Sequence, residues 1–161
     1  SIRNLFEAEN KLDFKASLNL KIAALFFNKD IDLKTFFSEI CATNLEKRYF
    51  QFFSRRFSEN NSDLNLLDLK HLLAFEKKDL VLDFYVINLL HNFHKIDVLE
   101  AKNNLEFIKN FELPNFPVNG EDIKKLGYKG EEIGNKIEEI KKFWAQNDFS
   151  LSKSDLIKFL Q

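Results

Sequence analysis

The sequence predicts an all-α fold, an irregular bundle of about eight or nine helices with a Pro/Gly-rich corner before the last ones, and three observations carry that prediction. First, strong helix breakers are confined to one stretch. Both prolines (Pro114, Pro117) and all four glycines (Gly120, Gly127, Gly130, Gly134) lie between positions 114 and 134. The rest of the chain lacks the positive-φ residues that tight β-hairpins favour. Second, apolar residues recur at helical spacing, most clearly Leu33, Phe36, Phe37, Ile40 and Cys41, one face of a helix beginning near Asp32. Third, helix-capping patterns punctuate the chain, as in Thr43-Asn44-Leu45-Glu46, which has capping-box spacing.

In chain order, Phe14, Leu18, Ile22, Leu25 and Phe26 supply the apolar face of an early helix, and the helix from Asp32 follows. The capping box at Thr43 opens the next, with Leu45, Tyr49, Phe52, Phe53 and Phe57. Ser62-Asp63 and Asp79 are the expected N-caps of segments around 64–75 and 80–93, because short side-chain oxygens satisfy the first free N–H groups of a helix. The segment 80–93 is apolar nearly all round, as a helix at the centre of a bundle should be. Its 14-residue length and the absence of nearby turn signals favour a helix over a buried strand. Asp97 starts another helix that reaches Phe111. After the corner, Ile133, Ile137, Ile140 and Trp144 mark an amphipathic helix, and Ser152-Lys153-Ser154-Asp155 caps a last short one carrying Leu156, Ile157 and Leu160. There is no internal repeat of fixed period. Residues 1–111 read as a helical body and 112–161 as a C-terminal helical tail, packed as one unit.

Composition sets the outer bounds. With 161 residues, 45% of them hydrophobic, the chain can bury a core without disulfides or metal. The one cysteine, Cys41, sits in an apolar run, so thiols build neither a disulfide framework nor a metal-ligand pair. No apolar stretch approaches the ~20 residues of a membrane span, and the N-terminus does not read as a targeting segment, so a cytoplasmic protein without a membrane is expected. The formal net charge is −1, from 24 basic and 25 acidic side chains, so polyanion binding has to rest on a local patch. The abundance of phenylalanine, 19 in all, accompanies a Lys-, Asn- and Ile-rich composition and is not read as a base-stacking surface.

Four constellations bear on chemistry. Asp30-Ile31-Asp32 has the spacing of a Mg²⁺-binding carboxylate pair, but it falls in a turn between helices with no nearby glycine, and helix capping explains it. His91 and His94 share a helix face, yet two neutral ligands without a third do not make a metal site. No catalytic residue and no metal ligand is therefore assigned. The best positive patch is Lys47-Arg48 with Arg55-Arg56, three of the four arginines of the chain on one helix, where Arg48, Arg55 and Arg56 can offer planar donors to phosphates. The richest signal is Gly120 to Lys136. Asn119 caps a short helix, Gly127 ends it in the left-handed conformation, and Gly130 opens the next helix with its N–H groups exposed. Lys124, Lys125 and Lys129 add charge, and Gly134 permits close approach of a backbone. Glu131 and Glu132 oppose a phosphate there, and a purely structural helical corner is the competing explanation.

The same segment carries a resemblance. Pro114-Asn115-Phe116-Pro117-Val118-Asn119-Gly120-Glu121-Asp122-Ile123, then Gly127, Gly130, Ile133-Gly134 and Trp144 through Phe149, resembles the C-terminal signature of bacterial tRNA nucleotidyltransferases, the CCA-adding enzymes, and of the related poly(A) polymerases. Upstream, Lys21-Ile22-Ala23-Ala24-Leu25-Phe26 and Ala42-Thr43-Asn44-Leu45-Glu46-Lys47-Arg48 resemble two further helix segments of that family, so the likeness covers nearly the whole chain. Two departures stand out. The family often has Gly-Pro where this chain has Gly130-Glu131, and the family's strand-borne Gly-Ser and D-x-D metal site has no counterpart here.

The resemblance implies the body and tail of a longer protein whose catalytic N-terminal domain lies elsewhere in the same polypeptide. The parent would add CCA, or A alone, to the tRNA 3′ end from CTP and ATP with Mg²⁺. This part would need no cofactor, would be inactive alone, and would hold the acceptor and T-arm side of tRNA by shape and phosphate contacts. Arg48, Arg55, Arg56, Lys124, Lys125 and Lys129 are then the expected phosphate contacts, with Gly127, Gly130 and Gly134 shaping the corner. A helical protein-interaction domain, favoured by the near-zero net charge, is the alternative.

Overall fold

A computed structural model of the chain describes residues 2–26, 42–59, 64–91 and 93–161. All regular structure among them is helical. It comprises α1 (Ile2–Leu12), α2 (Leu18–Phe26), α3 (Asn44–Glu59), α4 (Leu66–Phe75), α5 (Lys78–His91), a 3₁₀ turn (Phe93–Lys95), α6 (Val98–Asn110), α7 (Gly120–Lys125), α8 (Glu131–Gln146) and α9 (Lys153–Phe159). The all-α multi-helix expectation holds. The helix expected from Asp32, with Asp30 and Cys41, and the expected caps Ser62 and Asp63 lie outside the described residues.

Several boundaries differ from expectation, each for a local reason. The early helix begins at Leu18 rather than at Phe14, because Asp13 turns the chain with φ 53 and Ser17 Oγ accepts the Leu20 N–H at 3.0 Å, as an N-cap does. A separate helix, α1, precedes it and buries Leu5, Ala8 and Leu12 at helical spacing. The cap of α4 is Asn65, whose Oδ1 accepts from Leu67 and Asp68 N–H while Asp68 accepts the Asn65 N–H. Asp79 lies in the first turn of α5 rather than at its cap. Thr43, Asp97, Asn119 and Ser152 cap as expected. Thr43 Oγ1 accepts the Glu46 N–H at 3.2 Å, and Asp97 Oδ1 accepts the Leu99 and Glu100 N–H groups at 2.9 and 3.1 Å.

The described residues form two compact units, one from Ser1–Leu64 and Lys78–Lys109, the other from Asn65–Lys77 and Asn110–Gln161. In the first, α5 packs against α1 and α2. It buries Val81, Phe84, Tyr85, Val86, Ile87 and Leu90, as its all-round apolar sequence predicts, and α3 sets Phe52 and Phe53 edge-on against Phe84 at 5.4 and 5.7 Å. Edge-to-face pairs of this kind add about 0.5–1.5 kcal/mol each beyond area burial. Asp83 and Tyr85 of α5 are buried with polar partners. Asp83 Oδ2 accepts from Tyr49 Oη at 2.8 Å and from Ser17 Oγ at 3.2 Å, and Tyr85 Oη accepts from Asn104 Nδ2 at 3.0 Å.

The second unit is organised by α8, against which α4, α7 and α9 pack. Its core is Val118, Ile123, Ile140, Trp144 and Leu156. Trp144 meets Phe149 edge-on at 5.0 Å and Phe116 at 5.2 Å, so the residues after Pro114 and after α8 close on the same ring. Phe149 reaches it because Asp148 and Phe149 both turn through positive φ, 55 and 59, and Lys70 of α4 holds Asp148 in an ion pair. The α4 helix therefore belongs with the C-terminal residues by packing, although chain order sets it among the earlier helices.

Candidate nucleic-acid interface

The sequence-predicted cations fall into two groups, one on each unit. In the first unit Arg48 and Arg55 stand seven residues apart on α3, which stacks them on one flank, and both are exposed. Arg56 is different. It is half-buried, with its guanidinium carbon 5.7 Å from the centre of the Phe52 ring, so its charge is directed onto an aromatic face that is itself buried. The arrangement sets Arg48 and Arg55 on one flank of α3 and lays Arg56 against Phe52.

In the second unit the corner forms as its glycines dictate. The Asn119 side chain accepts the Glu121 and Asp122 N–H groups at 3.0 and 3.2 Å, and Asp122 Oδ2 accepts the Asn119 N–H at 3.0 Å, a complete capping box at the start of α7. Gly127 ends the helix with φ +99, and its N–H donates to the Lys124 carbonyl at 2.9 Å. Gly130 has φ +57, another backbone state that a side chain would strain, and caps α8 without any side-chain hydrogen bond. Gly134 behaves otherwise. Among the described residues a Cβ there would meet nothing within 4 Å, so no close approach among them requires this glycine.

Lys124, Lys125 and Lys129 are all exposed around this turn. Lys124 is engaged by Glu121 at 2.5 Å. The backbone N–H of Lys129 donates to Glu132 Oε2 at 3.3 Å, so one donor that an anion would need is already taken by the first turn of α8. The anion-attracting parts of the corner are thus the lysine side chains more than the backbone.

Two interactions that the sequence reading missed fix this corner. Lys153 at the start of α9 donates to Asp122 at 2.7 Å, and this contact, with the Asn119 N–H, holds the Asp122 carboxyl below the usual carboxylate range. Tyr128 reaches the Leu160 carbonyl with its hydroxyl at 3.5 Å, while Lys136 sits 5.6 Å from the Tyr128 ring centre. Tyr128 and Leu160 lie 32 positions apart and Lys153 and Asp122 lie 31 apart, so neither contact left a signal in the sequence.

Of the two histidines singled out in the sequence, the His91 side chain lies outside what is described, and His94 is in the 3₁₀ turn after α5. No cluster of three or more His, Cys, Asp or Glu among the described residues is arranged to hold a metal ion. No helix among them is long and apolar enough to cross a membrane.

Comparison with known proteins yields partial matches. Over 57 residues the chain is 37% identical to CCA tRNA nucleotidyltransferase 1, mitochondrial, of Danio rerio, covering 35% of this chain and 13% of that protein. The proteins of the same name from Homo sapiens and Mus musculus are each 29% identical over 58 residues, with the same coverage of both chains. The chain thus spans only 13% of the length of the relatives it matches. No protein-family profile matches it, and no solved structure does. These matches relate the chain to CCA-adding enzymes.

Proposed function

We propose that this chain is the RNA-binding, C-terminal part of a tRNA nucleotidyltransferase of the bacterial CCA-adding type or of its poly(A) polymerase relatives. It positions tRNA, from the acceptor and T-arm side, for addition of CCA or A at the 3′ end. The observation that carries this reading is the identity to CCA tRNA nucleotidyltransferase 1 of Danio rerio. Two exposed cationic clusters, Arg48 with Arg55 and Lys124 with Lys125 and Lys129, support it, because a chain with net charge −1 needs local patches to hold phosphates. Nucleotidyl transfer itself, with Mg²⁺, CTP and ATP, belongs to the catalytic N-terminal domain of the parent polypeptide, and the compartment is the cytoplasm.

The test is titration of labelled tRNA at low and at moderate salt, with the wild type, an Arg48→Ala, Arg55→Ala variant and a Lys124→Ala, Lys125→Ala, Lys129→Ala variant. Binding that weakens steeply with salt and is lost in either variant supports the reading. No binding at low salt overturns it. A second reading, a protein-interaction domain, is favoured by the near-zero net charge and predicts association with a partner that salt leaves unchanged.

A further inference from the structure

Besides the cationic clusters, the second unit carries a flat aromatic surface of a different kind. Phe159, near the end of α9, stacks on Phe143 of α8 with ring centroids 4.1 Å apart and planes 9° from parallel. Stacked and edge-on pairs are both favoured arrangements of aromatic rings, and Trp144 and Phe149 adopt the second, at 82°. A parallel pair instead leaves a flat face on which a further aromatic plane continues the stack. Phe159 is 43% exposed and opens onto a groove of about 410 Å³ along α8.

The rim of that groove is polar and electrically balanced. Its two carboxylates are engaged within the helix, Glu138 by Lys142 at 2.9 Å and Glu139 by Lys136 at 2.7 Å. Between and beyond these pairs the exposed amides of Asn135 and Gln146 supply both donors and acceptors. A phosphate would find no net positive charge here. An apolar peptide would find one ring pair and no row of side-chain sockets. A nucleobase needs what is present, a π-face for its plane and amide groups for its edge.

We infer that the Phe143–Phe159 pair is a stacking platform for an unpaired nucleobase of bound RNA, with Asn135 or Gln146 contacting the base edge. This rests on the proposal that the chain binds RNA, and adds to it that single-stranded or looped nucleotides, besides the duplex backbone, are held. Phosphate contacts at the cationic clusters set strength and salt dependence, while the platform selects RNA with a base free to leave its stack.

The experiment uses the full chain, a single-stranded RNA carrying 2-aminopurine as a fluorescent base, and a blunt duplex of the same sequence. The expected result is quenching of the 2-aminopurine on binding, and a loss of single-strand affinity of roughly tenfold in Phe159→Ala, with duplex affinity little changed. Phe159→Leu, which keeps an apolar side chain and removes the π-face, should resemble Phe159→Ala, and Phe159→Trp should bind at least as tightly as the wild type. Wild-type binding that is indifferent to Phe159→Ala, or restored by Phe159→Leu, overturns the platform and leaves the RNA-binding reading intact. Absence of binding to either RNA and to tRNA at low salt overturns both.

Discussion

Tyr49 on α3 donates its hydroxyl to Asp83 on α5 at 2.8 Å, and the carboxylate oxygen it reaches also accepts from Ser17 ahead of α2, so one buried acceptor ties three segments of the first unit. Burial, reinforced by the neighbouring carboxylate, pushes the Tyr49 hydroxyl far above its ordinary range, and burial pushes the Asp83 carboxyl up as well. The folded chain keeps the Tyr49 proton, whereas the unfolded chain releases it near 10.0. Stability contributed by this group is therefore complete below that pH and declines as pH rises above it. Tyr49→Phe should cost about 1–3 kcal/mol at neutral pH, since it leaves a buried carboxylate short of a donor. It should also flatten the loss of stability at alkaline pH. Urea titrations of both proteins at neutral pH and above pH ~10 check the two expectations, and an unchanged alkaline slope would count against the network.

The corner glycines should separate by sign. Gly127→Ala places a side chain at φ +99 and is expected to destabilise by about 1 kcal/mol, although no atom of the described residues lies within 4 Å of it. Gly134→Ala, in the exposed interior of α8 with nothing within 4 Å, should stabilise by up to about 1 kcal/mol. If Gly134 serves close approach of an RNA backbone, the stabilised variant will bind tRNA more weakly. Thermal melting and tRNA titration on the same two proteins give all three answers.

The arginines of α3 should divide in the same manner. Arg56→Ala removes a guanidinium lying over Phe52 and is expected to cost about 0.5–2 kcal/mol through lost packing. Arg48→Ala, at an exposed position, should stay within about 0.5 kcal/mol of the wild type. If Arg48 and Arg55 hold phosphates, replacing both lowers the slope of log affinity against log salt by roughly two, while Arg56→Ala leaves the slope unchanged.

His71 on α4 gives the second unit an acid-sensitive point. Burial lowers its pKa from the ordinary 6.5, Asp68 acts in the opposite direction, and Lys142 of α8 lowers it further. A depressed pKa means that the neutral ring is the folded form. Its contribution is present above 6.5 and is lost as pH falls through the lower folded value. Melting temperature should therefore fall by a few degrees between about pH 7.5 and about pH 5.5, and His71→Leu should reduce that difference. An equal drop in both proteins would assign the acid response elsewhere.

What was readable in the sequence is what local physics determines. The caps at Thr43, Asp97, Asn119 and Ser152 each depend on a side chain and an N–H three residues away or fewer, and the all-round apolar α5 announces its own burial. The left-handed Gly127 was readable because few other residues adopt that state. Relationships between distant positions left little trace. Lys153 with Asp122 and Lys70 with Asp148 are pairs that only the packing creates. The α1 helix escaped notice because its buried face is narrow, with Ala8 between Leu5 and Leu12. Arg55 and Arg56 look alike in sequence, but a rotation of about 100° around the helix separates them, leaving Arg55 exposed and laying Arg56 against Phe52.

The membership of α4 has a consequence for how this molecule is made and cut. Its Lys70 and Phe75 are completed by Asp148 and Lys141, residues synthesised long after the intervening α5 and α6. During translation α4 waits, its apolar face without α8, while the helices on both sides of it in sequence find their partners. An expression product starting after Asn110 would omit one wall of its own core, so producing the second unit alone requires α4 to be grafted on through a new linker rather than removed by truncation.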